Sequence, residues 1–219
     1  MKKIVLSISI CLCGLAPAFA QTADKAAADS LGLPGDNLDL YGVLDLFKKA
    51  ESLEAFEKSL NEENSQVNNL DLNNDGDIDY IRVIDQTDSG AHAITLQVLI
   101  SEKESQDVAA IEIEKTGDNE AQLQITGDED IYGKDYIVEP TAEKGSTNDL
   151  NEEDPYAFDN VTSQKIIFVN VWGWPGVRFI YAPRYVVWVS PWRWAYYPTY
   201  WHPWHPVMWR VHHARVIRY

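Results

Sequence analysis

The chain has 219 residues, 45% of them apolar, with 34 acidic against 18 basic side chains and a formal net charge of −16. That length suffices for one good hydrophobic core and a second, small one. Both cysteines, Cys11 and Cys13, fall in the first twenty residues, which excludes a disulfide-stapled scaffold for the rest of the chain.

The chain begins with Lys2 and Lys3, the apolar stretch "IVLSISICLCGLA", and Ala18-Phe19-Ala20 ahead of Gln21. This is the three-part pattern of a secretory signal peptide over residues 1–20, and the apolar part is too short for a stable membrane span. It predicts an exported protein, either periplasmic or extracellular and associated with the outer membrane. Residues 21–35 read as a flexible N-terminus.

An acidic α+β domain is predicted over residues 36–140. Leu38, Tyr41, Leu44 and Phe47 mark one helical stripe, with Asp36 or Asn37 as N-cap. Ser52 caps a second helix that presents Leu53, Phe56 and Leu60 on one face. Four strand-like runs follow: "IDYIRVI", "HAITLQVLI", "VAAIEIEKT" and "AQLQITG". Their alternation puts Ile94, Leu96, Val98, Ile100, Ile111, Ile113, Leu123 and Ile125 inward. Glu112, Glu114, Gln122 and Gln124 face water. The pattern predicts an antiparallel meander with one wet face, covered on the dry one by the helical pair.

Between helices and strands stands "NLDLNNDGDIDYIRVID", Asn69 to Asp85. Calcium takes six to eight hard oxygen ligands, and the spacing D-x-N-x-D-G-x-x-D supplies them locally. Asp71, Asn73 and Asp75 fall at loop positions one, three and five, and Gly76 permits the sharp turn at six. Asp77 offers its carbonyl at seven, Ile78 ties the loop to the core, and Asp79 fills position nine. The competing reading is a metal-free turn, since Asn, Asp and Gly favour turns on their own account.

Over these nine residues the chain resembles the calcium loops of EF-hands and dockerins. It departs from them at position twelve, where Arg82 stands in place of a bidentate Glu. The exit "YIRVI" is β-branched, as in loop-into-strand versions of FG-GAP type. The resemblance implies a structural ion bound weakly, on the order of 10⁻⁴ to 10⁻³ M. Asp85, Glu62 or Glu63 are candidates to complete the shell. The order of parts also resembles uncharacterised secreted proteins of Bacteroidota, which implies an architecture and a compartment but no activity.

Residues 141–160 are polar and acidic and read as a linker. Beyond them, residues 161–219 carry seven basic and no acidic side chains, all eight tryptophans, and sixteen aromatic residues in all. Such a charge split predicts two segments with different partners, or two halves that attract each other. Short strands are predicted at "KIIFVNVW", "VRFIYA" and "YVVWVS", and an interaction segment beyond Pro191. There Trp192, Arg193, Trp194, Trp201 and Trp204 are candidate binding residues. The partner is a cell-envelope component, a glycan or a protein, with a membrane surface as an alternative and nucleic acid excluded by the exported compartment. Prolines interrupt the segment too often for a transmembrane helix.

The sequence shows no nucleophile–base order, phosphate loop or zinc spacing, so no catalytic residue is assigned. The leading reading is an exported binding or structural protein with a structural calcium loop. An envelope-associated hydrolase using carboxylates is the alternative. Transition-metal binding through His202, His205, His212 and His213 is the third.

Overall fold

The computed structural model describes residues 30–141 and 169–216. The predicted signal peptide, residues 21–29 of the predicted N-terminal stretch, all of the predicted linker but residue 141, and the start of "KIIFVNVW" lie outside them. Helix α1 (Leu40–Lys49) begins at Asp39, whose carboxylate accepts the N–H groups of Tyr41 and Gly42. This corrects the predicted stripe and its caps. Asp36 and Asn37 belong to a separate 3-10 turn, Pro34–Asn37. With the cap two to three residues later, the buried face becomes Leu40, Val43 and Phe47, and Tyr41 is 54% exposed. Helix α2 (Leu53–Leu60) starts as expected, with Ser52 Oγ accepting from Ala55 N. The rings of Phe47 and Phe56 meet edge to face, 5.3 Å between centroids, and join the two helices.

Five antiparallel strands form a sheet in chain order: β1 (Ile81–Asp88), β2 (Ala91–Leu99), β3 (Ser105–Gly117), β4 (Glu120–Gly127) and β5 (Ile137–Val138). Alternation decides their faces. Ile81 and Val83, Ile94, Leu96 and Val98, Ile111 and Ile113, and Leu123 and Ile125 are buried in one cluster with Phe47, Phe56 and Leu60. Each such side chain stabilises the fold by roughly 1.5–3 kcal/mol relative to exposure. Ile100 lies past the end of β2 and is only half-buried. Helix α3 (Glu129–Tyr132) turns the chain into β5, and Tyr132 donates its hydroxyl to Leu38 O at 2.7 Å.

Helices α4 (Pro175–Ile180) and α5 (Trp209–Val216) lie in the basic aromatic segment. Five α-helices and a five-stranded antiparallel sheet among the described residues make the fold α+β. The predicted strand at "VRFIYA" is corrected to helix α4. Pro175 presets helical φ in the first turn, and Val177 and Ile180, three apart, reach the core. "YVVWVS" forms no strand either. It runs along the open edge of β1, joined through Asp85 N to Trp188 O (2.8 Å) and Ser190 N to Val83 O (3.0 Å). Capping an edge this way removes a template for further pairing. At β4, Val171 N donates to Ala121 O at 3.0 Å. The described residues from Leu31 onward thus belong to a single unit.

Candidate functional site

The acidic loop is entered through a polar brace. Asn68 donates Nδ2 to Asp79 O and accepts from Leu70 N, while Asp79 N returns to Leu70 O at 2.8 Å. The neck of the loop is therefore closed by backbone and amide groups. Within it, Asp71 accepts from Asp75 N and Gly76 N, both at 3.1 Å. Asn73 Oδ1 accepts from Asp75 N and Asp75 Oδ1 from Asp77 N, each at 2.9 Å. These Asx turns wrap the chain around its own side-chain oxygens. Asn74 and Gly76 take left-handed φ of 58° and 87°, which glycine adopts at no steric cost.

Ile78 is buried and anchors the loop to the core. The Asp79 carboxylate is buried as well and accepts from Leu72 N. Burial pushes its pKa up to about 7, and the charges of Asp71 and Asp75 add to the rise. Hydrogen bonds from Leu72 N and Asn73 N oppose it. Asp77 faces outward to His205, Nδ1 to Oδ1 3.2 Å.

The five predicted ligands therefore share one loop, with side-chain oxygens of Asp71, Asn73, Asp75 and Asp79 turned to its backbone N–H groups. Among the described residues, no group of three or more His, Cys, Asp or Glu side chains stands placed to hold a metal ion. Of the residues considered for completing a shell, Asp85 points into the core, and Glu62 lies 3.8 Å from Lys58. Arg82 sits on β1 with Nη1 3.4 Å from Gln97 Oε1.

The aromatic segment packs directly on this loop. Ile78 N donates to Trp204 O at 2.8 Å, and His205 Nδ1 donates to Gly76 O at 2.8 Å. Asn69 exchanges two bonds with the Val207 backbone, at 2.8 and 2.9 Å. Trp201 is buried with its ring edge-on to Tyr80 at 5.2 Å. Of the predicted tail residues, Trp201 and Trp204 thus serve the loop. Trp192 and Trp194 are half-buried, and exposed Arg193 lies 4.5 Å over the Tyr196 ring.

Two buried carboxylates hold the preceding stretch, and the sequence reading missed both. Glu57, on α2, accepts from Tyr80 Oη (2.9 Å), Val83 N (3.0 Å), Trp188 Nε1 (3.1 Å) and Ser190 Oγ (2.8 Å). Burial raises its pKa, and these four donors work against the rise. Asp85, on β1, accepts from Tyr185 Oη at 2.6 Å and pairs with His92 Nδ1 at 2.9 Å. A signal for this second cluster was present. Asp85 and His92 occupy inward positions of strands whose other inward residues are Ile81, Val83, Ile94 and Leu96. The same kind of signal marks Glu57, which falls four residues after Leu53 and three before Leu60, inside the apolar stripe of α2.

The tail histidines do not converge. His202 is exposed, His205 touches the loop, and His213 stacks on Trp209 at 4.8 Å. His212 is buried, and burial together with the charges of Arg215 and His213 pulls its pKa down to about 4. No helix among the described residues is long and apolar enough to cross a membrane. Neither a family model, nor a curated protein, nor a solved structure matches this chain.

Proposed function

We propose that this is an exported binding or structural protein whose Asp71–Asp79 loop holds one calcium ion as a brace between helices, sheet and tail. The observation that carries the reading is the loop geometry: a glycine-pivoted turn wrapped around the side-chain oxygens of Asp71, Asn73 and Asp75. With the Asp79 carboxylate and the Asp77 carbonyl, the donor set is all oxygen, which suits a hard cation and not a soft one. Calcium bound there would neutralise crowded carboxylates. Without a bidentate Glu the affinity falls on the order of 10⁻⁴ to 10⁻³ M, that of extracellular modules.

The outer surface of the tail is the part left for an envelope component, a glycan or a protein partner. Val186 (83% exposed), Tyr196 (62%) and Met208 (78%) support this, together with Arg193. Calorimetric titration of the purified protein with calcium tests the loop, with magnesium and an Asp75→Ala variant as controls. Saturable calcium-selective heat, lost in the variant, is expected. No heat and no thermal shift up to millimolar calcium would reduce the loop to a polar turn.

A further inference from the structure

The outward face of the sheet carries a concavity of about 550 Å³ that shares no lining residue with the acidic loop. That volume falls within the range of small-molecule sites, roughly 300–1,000 Å³. The strand register explains its shape. One row across the sheet pairs Gln86 with Ala93, Ala93 with Glu112, and Glu112 with Gln124. The next row runs Asp88, Ala91, Glu114, Gln122 in the same way. Alanines on β2 thus form a low floor, and longer polar side chains on β1, β3 and β4 form the walls. Four strands make the trough about 14 Å wide, and two rows make it about 7 Å along the strands. Glu139, Pro140 and Val169 also line it.

The charge of the trough has one sign. Asp88, Glu112, Glu114 and Glu139 line it, and none of its described lining residues is Lys or Arg. Lys115, next along β3, is engaged elsewhere, with Nζ 5.2 Å from the centre of the Trp172 ring. Glu112 is held in place by Gln124 Nε2 and by Thr126 Oγ1 at 3.2 Å. The result is an apolar strip between anionic walls.

We propose that this trough binds a small linear polyamine. Methylene segments would lie on the Ala91–Ala93 floor, and ammonium groups would meet carboxylates on the walls, where charge-assisted hydrogen bonds are strongest. A bounded concavity of this size favours a small cation over an extended protein surface. The proposal is independent of calcium binding, since the trough and the Asp71–Asp79 loop share no residue.

Titration of the purified protein with spermidine, in calcium-free buffer of low ionic strength, tests it. Saturable one-to-one binding is expected, weakened about tenfold or more by Glu112→Gln/Glu114→Gln, since each lost charge pair removes a strong contact. Ala93→Tyr should abolish binding without changing charge, because the ring fills the floor while suiting a strand. Glu51→Gln/Glu54→Gln, an equal charge change at exposed positions around the start of α2, should leave binding intact, as should Asp75→Ala. Thermal melts confirm that each variant is folded. The proposal is overturned by any of three results: no saturable binding at millimolar spermidine, equal weakening in the helix control, or binding unaffected by Ala93→Tyr. Binding of a lysine-rich peptide but not of spermidine would also overturn it.

Discussion

The sheet half and the aromatic tail are held by different physics. In residues 31–141, β-branched and aliphatic side chains bury themselves on one face of a regular lattice, and each inner strand, β2 to β4, gains from both neighbours. In residues 169–216 the regular elements are short. Much of the chain is instead attached through side chains of the other half: Glu57, Asp85 and Asn69 each bind it from residues 31–141. An apolar lattice degrades gradually when one member is trimmed. A buried polar anchor fails more abruptly, because its partners are left dry and unpaired.

That contrast can be broken most forcefully at Glu57. Glu57→Ala leaves Tyr80, Val83, Trp188 and Ser190 without their acceptor and should cost about 3–5 kcal/mol in denaturant unfolding. Protection from hydrogen exchange should fall first along residues 185–190. Equal loss across β2 and β3 would show that the tail is no separate layer of stability.

The next effect depends on pH. His212 has a folded-state pKa near 4 against about 6.5 when unfolded, so the unfolded chain binds more protons between these values. Its contribution is full above about pH 6.5 and is lost as pH falls toward 4, on the order of 3 kcal/mol. Asp39, Glu57 and Asp79, raised by burial, act in the opposite sense. The difference between the protein and His212→Gln isolates the histidine: the variant should lose less stability between pH 6.5 and 4. Parallel profiles would contradict the assignment.

Tyr185→Phe removes the charged hydrogen bond to Asp85 together with the acceptor of Trp188 N, and keeps the ring against His92 and Phe179. A loss of roughly 1.5–3 kcal/mol is expected in chemical denaturation. No loss would mean that Asp85 is satisfied by His92 alone.

The two halves were also unequally legible in the sequence. Period-two alternation placed four strands and, apart from Ile100, their inward residues correctly, because burial on one face leaves a direct trace. Ser52 and the second helix were legible through a cap and an apolar face. The first helix was misread because Asp36, Asn37 and Asp39 are all plausible caps, and only packing against Val67 and Asn68 decides among them. The tail was misread where β-branched content suggested strands, since Pro175 and the core contacts of Val177 and Ile180 outweigh propensity. Its anchors join residues more than a hundred positions apart, such as Glu57 with Trp188 and Asn69 with Val207, and no local pattern encodes such pairs.

The loop and the tail are joined as one mechanical unit. Ile78 and Val207 both lend backbone amides to the contact between them, one through Trp204 O and the other through Asn69 Oδ1. Hydrogen exchange of these two amides, measured with and without millimolar calcium, tests the claim most directly. Calcium should slow both together, along with the amides of Asp75 and Gly76. Slowing confined to Asp75 and Gly76, with Ile78 and Val207 unchanged, would contradict it.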